Sequence, residues 1–310
     1  MALNRAQGAS RALAIGLAAT LLFAAFEVVA GALSGSLALI SDAAHMLVDS
    51  AGLLLALAAA LVARRPADLR RSFGYARAEV LVVPVHVMLM LGITGYIGWE
   101  AFNRAGDDLE IAAGPVLLTG IAGLALNAIV FRLLHGHARH NLNARGAMFE
   151  VLADALGSVG VIVSAVVIMA TGWTAIDIVV SLAIAVLVLP RAWLLLRQAV
   201  LILLEGAPAE MALDEIERDA REVPGVLSVH DLHVWSLAPN FVALSAHVEV
   251  ASMAASESAI GLLSVMLRER HGIAHVTLQP ETRELHEAVE CCDYPDMPAL
   301  EHMHEVARIR

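Results

Sequence analysis

His45 and Asp49 stand four residues apart in an apolar stretch, and Glu150 and Asp154 repeat that spacing in another. Residues at i and i+4 share one face of a helix. Asp42 precedes His45 by three and Asp49 by seven, so all three lie on a single stripe. Imidazole nitrogen and carboxylate oxygen suit a divalent ion of the zinc class, which takes four such ligands. Ionisable groups are costly inside hydrocarbon and mark a path for ions or protons there. The chemistry to expect is cation binding within a membrane, and transport follows from it. A polar network that only joins helices is the bland alternative.

The elements that must position these groups are long apolar helices. The chain has 310 residues, 59% of them hydrophobic and 16% charged, with a net charge of −11 and no lysine. Six stretches reach the roughly 20 apolar residues needed to cross a bilayer: 11–33, 37–62, 79–101, 113–134, 147–171 and 175–195. Arg5, Arg11, the five arginines between Arg64 and Arg77, Arg132, Arg139, Arg145, Arg191 and Arg197 fall on one side of the spans. Arg104, beside Asp107, Asp108 and Glu110, falls on the other. The positive-inside rule then puts both termini in the cytoplasm. The first span is too long for a cleaved leader. The acidic balance offers no basic patch for phosphates, so nucleic acid is excluded as a partner.

After Pro208 the pattern becomes that of a small α+β unit. Residues 209–222 read as an acidic amphipathic helix, and 226–237 and 241–250 as strands joined at 238–240. A second helix follows over 256–271, then a third strand over 274–280. This divides the chain into a membrane domain over 1–205, an αββαβ domain over 206–282 and a polar tail over 283–310. Cys291 and Cys292 are adjacent, which makes a strained disulfide and no C-x-x-C metal spacing.

The stretches SLALISDAAHMLVD (36–49), SFGYARAEV (72–80), NLNARG (141–146), LADALGSVG (152–160) and VHDLHVWSL (229–237) together resemble the cation diffusion facilitator family, in its zinc-transporting bacterial branch. The resemblance covers residues 12 to 282. It implies an α-helical membrane protein with six transmembrane helices and a C-terminal cytoplasmic ferredoxin-like domain. It further implies a homodimer in the inner membrane that exports divalent metal against protons. By position it makes His45, Asp49, Glu150 and Asp154 the transport ligands, with Asp42 behind them or in a proton relay.

Glu150 departs from the branch, which commonly has histidine there. A carboxylate adds a negative charge and a harder donor, favouring cations that accept oxygen. The alternative is a Glu150 that only accepts a proton. Zn2+ stays first among cargoes, with Cd2+, Co2+, Ni2+, Fe2+ and Mn2+ open and H+ as counter-ion. No further cofactor is expected. Ligands must shed protons to take metal, so one site holding either cation or protons is an antiporter.

In relatives, residues matching His230 and His247 bind regulatory metal, and Glu281 or His275 are placed to complete such a site. Surface histidines on a sheet are the plain alternative. His135, His137 and His140 are read as loop histidines before span five, His86 as a packed helix residue, and His286, His302 and His304 as a polar tail with the two cysteines. The loop after span two has no histidine, so no second site is expected there. The rival readings are a membrane metalloenzyme or a metal receptor. No Glu-x-x-His pair in the spans, no H-E-x-x-H and no output domain supports either.

Overall fold

The computed structural model describes the backbone over residues 2–106, 110–138 and 142–285, and side chains over 14–106, 110–135 and 146–285. It separates into two compact units, Met1–Ala199 and Val200–Arg310.

The first unit is a helical bundle. Its elements are α1 (Ala2–Ser34), α2 (Leu37–Ala63), α3 (Ala78–Arg104), α4 (Ala113–Ala138), α5 (Leu142–Thr171), α6 (Ala175–Leu187) and the start of α7 (Leu189–Leu203). Six spans within them are long and apolar enough to cross a membrane. The sixth runs from Ala175 to Leu203, further than the sequence suggests. It is broken at Val188, because Pro190 has no N–H to return to the preceding turn. The outer surface is apolar, with Leu22, Leu33, Phe102 and Leu118 exposed, as a helix bundle facing lipid must be.

Helix α2 packs against α1, α3, α5 and α6, and so runs through the middle of the unit. Its start is held by Ser36, whose hydroxyl accepts from the Leu39 amide at 3.2 Å, a standard N-cap. Asp177 on α6 reinforces that end: its carboxylate accepts from the Leu37 and Ala38 amides at 2.6 and 3.1 Å. Small residues let the helices close up. A Cβ at Gly157 on α5 would lie 2.1 Å from Asp42 Oδ1, and one at Gly52 on α2 would lie 2.3 Å from the His86 ring. Each glycine thus makes room for a polar side chain of the next helix.

Outside the spans, Asp68 organises the loop between α2 and α3. The Tyr75 hydroxyl donates to it at 2.9 Å, as do the Arg70 and Arg71 amides at 2.8 Å each. The Tyr75 bond, helped by those amides and the Arg71 guanidinium, lowers its carboxyl below the usual range.

The second unit has the expected αββαβ order: α8 (Leu213–Arg221), β1 (Val226–Ala238), β2 (Phe241–Val250), α9 (Met253–His271) and β3 (His275–Glu281). The sheet runs β1-β2-β3, antiparallel then parallel. Val242, Leu244, Ala246, Val248 and Val250 alternate onto the core face, with Ile216 of α8 and Leu263 and Leu267 of α9. Gly272 ends α9 in the left-handed conformation that favours glycine. Asp219 ties α8 to α9 by accepting from the side chains of His271 at 2.8 Å and Arg270 at 3.1 Å.

Candidate metal centres

In the membrane unit, α2 and α5 face one another and bring His45, Asp49 and Asp154 together. His45 Nε2 lies 3.9 Å from Asp49 Oδ2 and 3.9 Å from Asp154 Oδ1. One ligand atom from each residue falls within 4.8 Å of the others. Asp49 and Asp154 are buried, and His45 nearly so. Among the described residues, His45 Nδ1, Asp49 Oδ1 and Asp154 Oδ1 have no hydrogen-bond partner. Unmet buried carboxylate oxygens are costly, and a divalent cation would offset that cost.

Glu150 is on the same face as Asp154 but is not gathered into this trio. It is turned to the rim, where its Oε1 accepts from the Arg191 guanidinium at 2.5 Å. Arg191 also donates to Asp49 Oδ2 at 2.8 Å. One arginine on α7 therefore bridges two of the four expected ligand positions. In the sequence, Arg191 reads only as a charge marking the membrane edge. The signal available was a cation directly after a Leu-Pro step that ends one helix and starts another.

Asp42 lies beside the trio in a second polar cluster. The Ser158 hydroxyl donates to its Oδ2 at 3.4 Å, and Asn127 Nδ2 donates to that hydroxyl at 3.4 Å. Asp42 Oδ1 has no hydrogen-bond partner among the described residues. Glu27 on α1 is fully buried, and neither of its oxygens has a hydrogen-bond partner among the described residues. Neither Glu27 nor Asp177 was singled out from the sequence, although a lone acid within an apolar span was the available sign. His86 packs against Gly52, as a helix residue rather than a member of the trio. His135 and His137 fall on α4 itself rather than in a loop. The His135 ring is 5.8 Å from that of Phe131. His140 lies outside the described residues, as do Cys291, Cys292, His286, His302 and His304.

In the second unit, His230 and His247 are direct partners in the antiparallel register, with ring centroids 5.4 Å apart. They sit on the sheet face away from the helices, at positions alternating with core residues. Glu281, at the end of β3 and almost fully buried, reaches both. Its Oε1 is 2.7 Å from His230 Nε2, and its Oε2 is 3.1 Å from His247 Nδ1. A register shift follows His230, and Asp231 there has a φ of 50°. That irregularity brings the Asp231 carboxylate to 2.8 Å from His233 and 3.8 Å from His247. His275, the other residue considered for this site, pairs with Ala243 at the far end of β3 and is not in the cluster.

Residues 13–204 match the cation efflux transmembrane domain. The chain belongs to the cation efflux family. Residues 208–283 match the family's cytoplasmic domain. The metal cation efflux system protein CzcD of Cupriavidus metallidurans is 40% identical over 294 residues, covering 94% of this chain and 93% of that one. The zinc transporter ZitB of Escherichia coli is 41% identical over 266 residues, 85% of each. A protein of Bacillus velezensis named as a cadmium, cobalt and zinc/H(+)-K(+) antiporter is 38% identical over 261 residues, 83% of each. Among solved structures, the metal-bound C-terminal domain of the C. metallidurans CzcD transporter is 36% identical, covering 23% of this chain and 99% of that one, with a TM-score of 0.21. The chain is thus a multi-pass protein of the bacterial inner membrane, a metal cation efflux transporter and not an enzyme.

Proposed function

We propose that this efflux protein carries Zn2+ out of the cytoplasm in exchange for protons, with His45, Asp49 and Asp154 as its transport site. The observation that carries the reading is the convergence of those three groups from two helices, with unsatisfied ligand atoms buried among them. One imidazole and two carboxylates suit zinc, with a fourth position left for water or a further oxygen. Cd2+, Co2+, Ni2+, Fe2+ and Mn2+ are the other cargoes to compare. Each ligand must be free of its proton to take metal, so metal release and proton uptake are linked at one place. The ZitB relative, named a zinc transporter, and the B. velezensis relative, named an antiporter, fit this reading.

We further propose that the protein works as a homodimer with both termini in the cytoplasm. Residues 1–205 form its transport domain. Residues 206–282 form a regulatory domain whose His230, His247 and Glu281 take metal. The description of the second matched domain as cytoplasmic agrees with that orientation.

The test is Zn2+ flux in proteoliposomes under an imposed pH gradient. Flux should follow the gradient and fall at least about a hundredfold in Asp49→Ala and in Asp154→Ala, as for loss of a metal ligand that holds charge in a buried site. Flux indifferent to the gradient would rule out proton exchange. Flux surviving both substitutions would rule out the site.

A further inference from the structure

Arg191 raises a question that the transport reading alone does not answer. A metal site should repel a permanent positive charge, yet a guanidinium is bonded to one of the three converging residues. Asp49 Oδ2 is the atom concerned. It lies 2.8 Å from Arg191 Nη1 and 3.9 Å from His45 Nε2. An ion held between His45, Asp49 and Asp154 would meet the guanidinium across a single carboxylate. Two cations at that separation repel strongly where water is scarce.

The second arm of Arg191 resolves the conflict. Nη2 is bonded to Glu150 Oε1, and Glu150 is not among the converging ligands. The guanidinium fork is rigid, and its two bonds go to different helices, α2 and α5. Arg191 and Glu150 are also more exposed than the trio, at 35% and 25% against 7% for Asp49. Arg191 can release Asp49 and still keep one full charge-assisted bond at the rim.

Resting on the reading of His45, Asp49 and Asp154 as the metal site, we propose that Arg191 is a tethered counter-cation that competes with the transported metal for Asp49, and that Glu150 is the berth to which it withdraws when metal binds. Without metal, Arg191 balances Asp49 and spares the bundle a bare buried charge. With metal, Glu150 spares it a bare guanidinium. Glu150 tunes affinity through Arg191 and does not itself ligate. The pair Arg191–Glu150 sums to zero charge, so Glu150 adds no net negative charge to the trio.

The experiment is calorimetric titration with Zn2+ of the purified full-length protein carrying His247→Ala and Glu281→Ala, which removes the second candidate site, alongside Zn2+ flux in proteoliposomes. Arg191→Gln removes the competitor, so Zn2+ should bind about tenfold tighter or more, the worth of one charge-assisted hydrogen bond. Its flux should show KM and kcat falling together, because release is slowed. Arg191→Lys, which keeps the charge but loses the rigid fork, should fall between wild type and Arg191→Gln. Glu150→Gln removes the berth and should weaken Zn2+ binding. The double variant Arg191→Gln/Glu150→Gln should lose that weakening, since no guanidinium remains to be housed. If Arg191→Gln binds Zn2+ no tighter than wild type, while Asp49→Ala and Asp154→Ala abolish binding, the competition is wrong and the metal site stands. Should Arg191→Gln fail to fold, Arg191→Lys and Glu150→Gln decide the matter by opposite shifts, and equal or parallel shifts overturn it. Zn2+ binding that survives Asp49→Ala and Asp154→Ala removes the site and this proposal with it.

Discussion

The Ser36 hydroxyl donates to Asp177 Oδ1 at 2.6 Å across 141 residues of chain. The same carboxylate accepts from the Leu37 and Ala38 amides, and the Ser164 hydroxyl lies 3.4 Å away. An anion thus sits at the N-terminus of α2, where the helix dipole favours it. It fixes the start of the helix that carries His45 and Asp49. Asp177→Ala orphans several buried donors at once. It should destabilise the protein by about 3 kcal/mol, and Asp177→Asn, which keeps an acceptor, by about 1 kcal/mol. Thermal unfolding in detergent, compared across the two variants, measures both. Equal losses would mean that the anion's hydrogen bonds do not hold α2.

Gly157 and Asp42 are a second such dependence. A methyl group at Gly157 would sit 2.1 Å from Asp42 Oδ1 and 3.0 Å from its Cγ. Gly157→Ala should therefore cost about 1–3 kcal/mol by overpacking and reduce Zn2+ flux. Asp42→Ala clears the space, so the double variant should melt above Gly157→Ala alone. A double-mutant cycle in melting temperature reads the coupling. Additive effects would show that the two side chains do not meet.

The second unit carries its own candidate metal site, formed by His230, His247 and Glu281. Zn2+ added to the full chain should slow amide exchange along β1 and β2, because His230, His247 and Glu281 would be joined by the ion. Ligand binding at a hundred times Kd adds about 2.7 kcal/mol to a folded unit. Glu281→Ala and His247→Ala should abolish the protection, and Asp231→Ala should leave most of it. Protection should weaken as the medium is acidified, since an imidazole must be unprotonated to bind metal. Unchanged protection in Glu281→Ala would dismiss this site.

How much of this was legible in the chain differs by residue. Span positions and the αββαβ order were readable because hydrophobic runs and alternation are local signals. The facing of His45, Asp49 and Asp154 was anticipated from i, i+4 spacing on two helices. The divergence of Glu150 from Asp154 was not, because spacing places residues on a face without choosing their partners across the bundle. Arg191 is the clearest case. Near the end of an apolar run an arginine looks like an anchor at the lipid headgroups, and only the packing of α7 turns it inward. His275 shares its strand with Glu281, but the parallel register of β2 and β3 carries it to the far end. Register is a non-local property that alternation alone does not reveal.

Glu27 bears on how the bundle enters its membrane. An acid in the middle of a lone span costs about 2.5–3.5 kcal/mol against lipid, and here it is hidden only because neighbouring helices close over it. Helix α1 therefore gains from the company of α2, α4 and α5. Insertion should proceed as a partly assembled group of helices leaving the translocation machinery together, not as six independent arrivals.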